Sequence, residues 1–114
     1  MGRARHDGTV VQGTVDMLIL ASLARGPEHG FGIAERVRQA SAEVLRVEEG
    51  SLYPALQRLE QQGLLTSSWG TSVHNRRARF YALTPRGRRQ ITERVSRWRQ
   101  LTAAIERVID PSQG

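Results

Sequence analysis

The sequence predicts an α+β fold that is mostly α-helical and contains one small β-hairpin. Three observations support this prediction. The 114 residues are enough for one ordinary domain and too few for two independent cores. Apolar residues make up 39% of the chain and charged residues 25%, which is typical of a soluble globular protein. Four segments have the apolar spacing of helices, whereas only a few short runs are β-prone.

The first two helices follow a polar arm. Residues 1–13 show no apolar periodicity. Thr14 is the expected cap of a helix that runs to about Arg25. This helix is apolar on two faces, and a partner chain could cover the second face. A glycine and a proline end it, and a second helix is predicted over residues 30–40.

The third helix is predicted after a short β-prone stretch at residues 44–47. Ser51 is its expected cap, and Pro54 is expected in the first turn, where a missing N–H costs nothing. The helix should end at Gly63, because glycine readily adopts a left-handed cap. Its leucines form a buried side, and the opposite side is polar.

A hairpin and a long last helix complete the chain. Two β-prone runs, at residues 64–69 and 78–83, flank a loop with a basic tip. Thr84 and Pro85 then supply a cap and a first-turn proline for a helix that reaches about Ile109. A helix of about 25 residues is roughly 38 Å long, which is more than the remaining domain can cover.

The predicted order is helix, helix, short strand, helix and hairpin, which is the layout of a winged helix-turn-helix. In that fold the third helix enters the DNA major groove. We therefore predict a winged-helix DNA-binding domain with a polar arm at 1–84 and a dimerisation helix at 85–114. Residues 76–99 hold nine arginines and one glutamate, while the rest of the chain is nearly neutral. A basic cluster that begins at the hairpin tip is typical of nucleic-acid binding.

Other classes of function find little support in the sequence. The absence of cysteine excludes disulfides, thiolate zinc sites and thiol catalysis, and it suits a reducing cytoplasm. The histidines at positions 6, 29 and 74 have neither metal-ligand spacing nor an evident catalytic cluster, so we expect no cofactor and no enzymatic activity. The apolar run at residues 17–24 is too short to cross a membrane, and we expect a cytoplasmic protein without a membrane partner.

The most specific motif is Gly-Ser-Leu-Tyr-Pro-Ala-Leu at residues 50–56. With other segments it resembles the PadR-type transcriptional regulators, in particular their short branch with a single C-terminal helix. The resemblance implies a homodimeric winged helix that represses transcription and is released by a small molecule. It covers roughly residues 13–109, and the matching positions are 18–23, 26–33, 49–56, 58–60, 63–64, 69–70, 76–77, 80–84, Gly87 and Trp98.

The predicted DNA-binding residues come from the start of the second helix, from the third helix and from the hairpin. Arg58 is the expected reader of a base edge, and the hairpin arginines are expected to neutralise phosphates. The alternatives are that Tyr53 and Pro54 only begin a helix, and that the domain binds protein or RNA without operator specificity. The full set is Phe31, Gly32, Ser51, Tyr53, Pro54, Gln57, Arg58, His74, Asn75, Arg76, Arg77 and Arg79.

The predicted dimer interface is a seam along the last helix, together with the first helix. Its spacing of 4-3-4-3-4 is typical of a coiled coil. Trp98 beside Thr102 leaves irregular space, so a planar aromatic effector could stack between two copies of Trp98; the alternative is that Trp98 fills its own domain. The expected partners are palindromic duplex DNA and a second copy of the chain. The interface residues are Val15, Leu18, Ile91, Val95, Trp98, Thr102, Ile105 and Ile109.

Overall fold

The computed structural model describes residues 12–113 and contains four α-helices with one three-stranded sheet. The first helix already includes Gln12. Thr14 therefore lies inside this helix, and the prediction that Thr14 is its cap is wrong. The predicted arm otherwise lies outside the described residues. The elements are α1 (Gln12–Leu23), β1 (Glu28–His29), α2 (Gly30–Ala40), α3 (Glu49–Gln61), β2 (Leu65–Thr71), β3 (Arg77–Leu83), α4 (Pro85–Ile109) and a 3-10 turn (Pro111–Gln113).

The sheet is antiparallel, with β3 between β1 and β2. The hairpin register runs from Leu65 opposite Leu83 to Thr71 opposite Arg77. Each strand is therefore longer, and the loop shorter, than predicted. Because residues directly opposite in an antiparallel pair share a face, Trp69, Arg79 and Tyr81 lie on one side of the hairpin.

The short strand is not where the sequence predicted it. Residues 44–47 form no strand, and β1 at Glu28–His29 pairs with β3 instead. Two consecutive residues with left-handed backbone, Ala42 (φ 53°) and Glu43 (φ 72°), turn the chain away before Val44. The Leu45 N–H then donates to the Ser41 hydroxyl at 2.9 Å, so local hydrogen bonding replaces a strand ladder there.

The core is formed by leucine-rich faces of α1 and α3, with contributions from α2 and the sheet. Val15 belongs to this core and is only 3% exposed, so it is not available for the dimer interface in which we had placed it. Tyr81 closes the core from the sheet. The largest fully buried side chains are Ile19, Leu20, Leu23, Ile33, Leu52, Leu56, Leu59 and Leu65.

The start of α3 differs from the prediction. The helix begins at Glu49, and the N–H groups of Ser51 and Leu52 both donate to the Glu48 carbonyl at 2.9 and 2.8 Å. Ser51 therefore lies in the first turn and is not the cap. Pro54 lies in the second turn, where its ring removes the hydrogen bond to the carbonyl of Gly50.

The start of α4 confirms the predicted cap. The Thr84 hydroxyl accepts a hydrogen bond from the Gly87 N–H at 3.0 Å, and Pro85 occupies the first turn. A Cβ on Gly87 would lie 2.2 Å from the Leu64 carbonyl oxygen, so the helix packs directly on the start of β2. The first half of α4 contacts α1 and β3, and Ile91 packs against the core. The second half extends beyond the body, which gives the described chain a longest axis of 53 Å.

Candidate nucleic-acid interface

A groove of about 610 Å³ lies between the start of α2, the exposed side of α3 and the hairpin. It brings together five side chains that the sequence predicted as DNA contacts, although they come from three separate segments. These side chains are Phe31, Tyr53, His74, Arg76 and Arg79. Tyr81 also lines the groove, and burial raises the pKa of its hydroxyl above the ordinary value for tyrosine, so this hydroxyl is uncharged at neutral pH.

The start of α2 is closed by its own neighbours. His29 Nδ1 accepts the Gly32 N–H at 3.0 Å, which leaves the imidazole proton on Nε2, 3.2 Å from the Glu28 carboxylate. A Cβ on Gly32 would lie 2.1 Å from that carboxylate. A side chain at position 32 would collide with Glu28, and the Gly32 N–H is already bonded to His29, so it is not free for the DNA contact predicted for Gly32.

The other glycine of this segment, Gly30, makes room for an aromatic ring. A Cβ there would lie 2.7 Å from the Tyr53 ring, so α2 and α3 approach closely at this point. Phe31 between the two glycines is 60% exposed and faces the groove. Of this segment, Phe31 is thus the side chain available to a ligand.

The exposed side of α3 presents Tyr53, Pro54 and Gln57, as predicted. Arg58 does not point the way that the sequence predicted. It follows Gln57 directly, and one step along a helix turns the side chain by about 100°, here toward α1. Its Nη2 donates to Asp16 Oδ1 in α1 at 2.6 Å. Asp16 is 8% exposed, and its second oxygen lies 3.6 Å from Arg94 of α4. Since Arg58 is the only basic residue in α3, the exposed side of that helix carries no positive charge.

The hairpin tip, residues 72–76, is a tight loop organised by Ser72. The Ser72 hydroxyl accepts from the N–H groups of His74 and Arg76, both at 3.3 Å. Asn75 adopts a left-handed conformation (φ 60°), which asparagine tolerates better than most residues. The side chains of His74, Asn75 and Arg76 are exposed, so the loop presents them to a ligand.

The two arginines of β3 differ in their surroundings. The guanidinium carbon of Arg77 lies 4.5 Å from the centre of the Trp69 ring, and that of Arg79 lies 5.7 Å from it. Arg79 also donates from Nε to Ser67 Oγ at 2.9 Å and lies 3.7 Å from Glu60 of α3. Trp69 is not among the DNA-binding residues that the sequence predicts. Its place opposite the basic strand, once the hairpin register is drawn, was the signal that could have found it.

The apolar side of α4 is broader than the predicted seam. Leu101 and Val108 are 53% and 81% exposed and join Ile105 and Ile109 on this surface, which we call the α4 stripe. The Thr102 hydroxyl, predicted within the seam, donates to the carbonyl oxygens of Trp98 and Arg99 in its own helix, both at 3.1 Å. The stripe, as used below, consists of Trp98, Leu101, Ile105, Val108 and Ile109.

A second groove, of about 280 Å³, separates α1 from α4. Trp98 lines it and is 40% exposed, so it neither fills the core of its own domain nor stands free in solvent. Met17 and Leu101 supply apolar walls, and Arg94 and Arg97 also line the groove, each 3.6 Å from a carboxylate, that of Asp16 and that of Glu93 respectively. Within residues 12–113, no cluster of three or more acidic or histidine side chains could hold a metal ion. No helix in the same range is both long and apolar enough to span a bilayer.

Proteins of known sequence and structure share this architecture. The profile of the Transcriptional regulator PadR-like family matches residues 19–93. The transcriptional regulator Rv3488 of Mycobacterium tuberculosis is 39% identical over 79 residues, which cover 69% of this chain and 70% of that protein. A protein of Lysinibacillus sphaericus of no stated function is 23% identical over 101 residues, 89% of each chain.

Two solved structures confirm the winged-helix α+β fold. A transcriptional regulator from Clostridium thermocellum superposes with a TM-score of 0.77 at 29% identity, covering 87% of this chain and 96% of that one. A PadR family transcription regulator from Clostridium difficile superposes with a TM-score of 0.70 at 28% identity, covering 83% and 97%.

Proposed function

Because this chain belongs to the PadR-like family of transcriptional regulators, which are not enzymes, we propose that it is a homodimeric repressor that a planar aromatic molecule releases from a palindromic operator. The observation that carries this proposal is the groove between α3 and the hairpin. A helix side without positive charge and a basic hairpin face each other across it, and each is suited to a different part of duplex DNA.

The hairpin suits the phosphate backbone and α3 suits the bases. Arg76 and Arg77 are exposed cations without a charged partner in the described part of the chain, so they can neutralise phosphates. Residues near the start of a recognition helix contact base edges, which on α3 favours Tyr53 and Pro54. Gln57 lies one turn after Tyr53 and is exposed on the same side. An exposed Gln can hold adenine by two hydrogen bonds, whereas the arginine that would hold guanine is turned inward. We therefore assign Gln57 to an adenine of the operator.

The α4 stripe supports the homodimer. Its five side chains remain partly or largely exposed in the single chain, and they follow one another along a helix that extends beyond the body. Full burial of such side chains contributes about 1.5 to 3 kcal/mol each. Leu18 and Ala21 of α1 are also incompletely covered, so the same partner can bury them. Regulators of this family generally bind DNA as dimers, which is consistent with this assignment.

The groove between α1 and α4 supports the effector site. Trp98 offers a flat face for a planar aromatic molecule, and Arg94 and Arg97 favour a neutral or anionic one over a cation. A molecule that binds one dimer geometry more tightly than another changes operator affinity through that difference.

Gel retardation with the protein's own promoter at moderate salt tests the proposed function. We expect a specific complex that survives an excess of mixed-sequence DNA, with a footprint of two inverted half-sites. Equal retardation of promoter and mixed-sequence DNA would contradict operator recognition. Preferential binding of single-stranded RNA would instead favour the alternative, an RNA-binding domain without operator specificity.

A further inference from the structure

Trp69 is an exposed indole on the hairpin, and it carries a guanidinium on its face. The side chain is 57% exposed, which is unusual for a tryptophan that has no ligand. The guanidinium carbon of Arg77 lies 4.5 Å from the centre of its ring, well within the distance of a cation–π interaction. Arg77 lies diagonally across the strand pair from Trp69, on the same face of the hairpin.

The surroundings of Arg77 leave its hydrogen-bond donors unused. In the part of the chain that the structure describes, the Arg77 side chain has neither a carboxylate nor a hydrogen-bond acceptor as a partner. When an aromatic ring packs on the flat face of a guanidinium, the N–H groups remain free to donate hydrogen bonds, because they point outward in the guanidinium plane. The indole therefore restrains the arginine and leaves its five donors available.

The neighbouring arginine provides the contrast. Arg79 lies on the same strand and the same face, but its Nε donates to Ser67 and its Nη2 lies 3.7 Å from Glu60. Its charge is partly compensated, and it fastens the hairpin to α3. The same indole thus lies beside one arginine that is bound within the protein and one that is not.

We infer that Trp69 is a positioning residue that holds Arg77 ready to bind a DNA phosphate beside the groove. This inference rests on the proposed DNA-binding function. An unrestrained arginine on an exposed strand loses rotamer freedom when it binds a phosphate, and a side chain that is already stacked loses less. Trp69 therefore strengthens DNA binding without itself contacting DNA.

A double-mutant cycle on a short mixed-sequence duplex tests the inference. Arg77→Ala should weaken binding and lower the slope of log affinity against log salt by about 0.9, since one phosphate contact is lost. Trp69→Leu should weaken binding by about two- to fivefold and leave the slope unchanged, because the arginine still neutralises its phosphate. In the Arg77→Ala protein, Trp69→Leu should have no further effect.

Matched variants separate this role from a structural one. Trp69→Phe keeps a ring and should retain part of the affinity. Val73→Ser, at a 92% exposed position of the loop, should change neither quantity. Additive effects of Trp69→Leu and Arg77→Ala would overturn the inference and indicate that the indole contacts DNA itself. Wild-type protein that binds no duplex at all would instead refute the proposed function.

Discussion

Asp16 connects three helices through a single carboxylate. It receives Arg58 from α3 on one oxygen and lies near Arg94 from α4 on the other, although its own place is in α1. The third helix and the long last helix are therefore held by the same buried acid. This places Arg58 among the residues that determine the geometry of the domain.

We expect Arg58→Ala to lower stability and not sequence discrimination. The loss should be about 1 to 3 kcal/mol, because Asp16 keeps only the longer Arg94 contact while Arg58 itself is one third exposed. Urea unfolding measures this loss, with Arg46→Ala at an exposed loop position as the control. A stable Arg58→Ala protein that binds operator and mixed-sequence DNA equally would return the arginine to the role of base reader.

Tyr81 predicts a dependence of stability on alkaline pH. Burial raises the pKa of its hydroxyl in the folded chain, so the unfolded chain loses this proton first as pH increases. The protonated Tyr81 hydroxyl therefore contributes fully to the unfolding free energy below the ordinary tyrosine pKa of about 10, and this contribution is lost as pH rises above that value. Tyr81→Phe should flatten the decline of the unfolding free energy in this range. An unchanged alkaline profile in Tyr81→Phe would show that other groups cause the decline.

At the level of the elements, two helical glycines predict opposite effects of the same substitution. Gly87→Ala should destabilise the protein by about 1 to 3 kcal/mol, because its Cβ would meet the Leu64 carbonyl oxygen. A Cβ at position 50 would have no atom within 4 Å. Gly50→Ala should therefore stabilise α3 by up to about 1 kcal/mol, because alanine is a better helix former than glycine. Thermal unfolding of the two variants measures both. Equal melting temperatures would mean that α4 shifts on β2 without cost.

The elements that could be predicted from sequence are those whose ends have local signals. The bounds of α2 at residues 30–40 and the start of α4 after Thr84 follow from glycine, proline and cap residues and agree with the structure. The strand predicted at 44–47 failed because a β-prone stretch needs a partner strand, and β3 pairs with residues 28–29 instead.

In the candidate site, too, features with local sequence signals could be predicted, and features that depend on distant residues could not. Exposed residues such as Tyr53 and Gln57 could be predicted from the helical period. The direction of Arg58 could not, because it depends on an acid 42 residues earlier in the chain. The role of Gly32 could not be predicted either, since the side chain that fills its space belongs to Glu28 and is drawn in by Arg36 at 3.1 Å.

For the whole molecule, Ile105→Asp tests the proposed dimer. Ile105 is 47% exposed in the single chain, so the charge should leave the fold intact and prevent only association. Sedimentation should find dimers for the wild type and monomers for Ile105→Asp, which should also lose operator affinity. Val44→Asp, at a 74% exposed position in the α2–α3 loop, serves as the control. A wild-type monomer at micromolar concentration would contradict the role given to the α4 stripe.

Trp98→Leu tests the effector site. Titration of the wild type with neutral or anionic planar aromatics should quench tryptophan emission and weaken operator binding. It should saturate at one molecule per dimer, because the molecule is expected to stack between the two copies of Trp98. Trp98→Leu leaves Trp69 as the only indole and should abolish both the quenching and the release from DNA. Quenching that persists unchanged would place the ligand away from the α1–α4 groove.

The overhanging half of α4 has a consequence for how the regulated gene responds to the amount of protein. Helical residues that bury little surface are only marginally stable in water, so in the proposed dimer the partner that covers this half also stabilises it. The second half of α4 would then become fully helical in the same step in which two chains associate and bring their DNA-binding domains together. For the proposed dimeric regulator, operator occupancy should then rise with the square of the protein level below the concentration at which dimers form, so the gene should switch over a narrower range of expression than a monomeric regulator would allow.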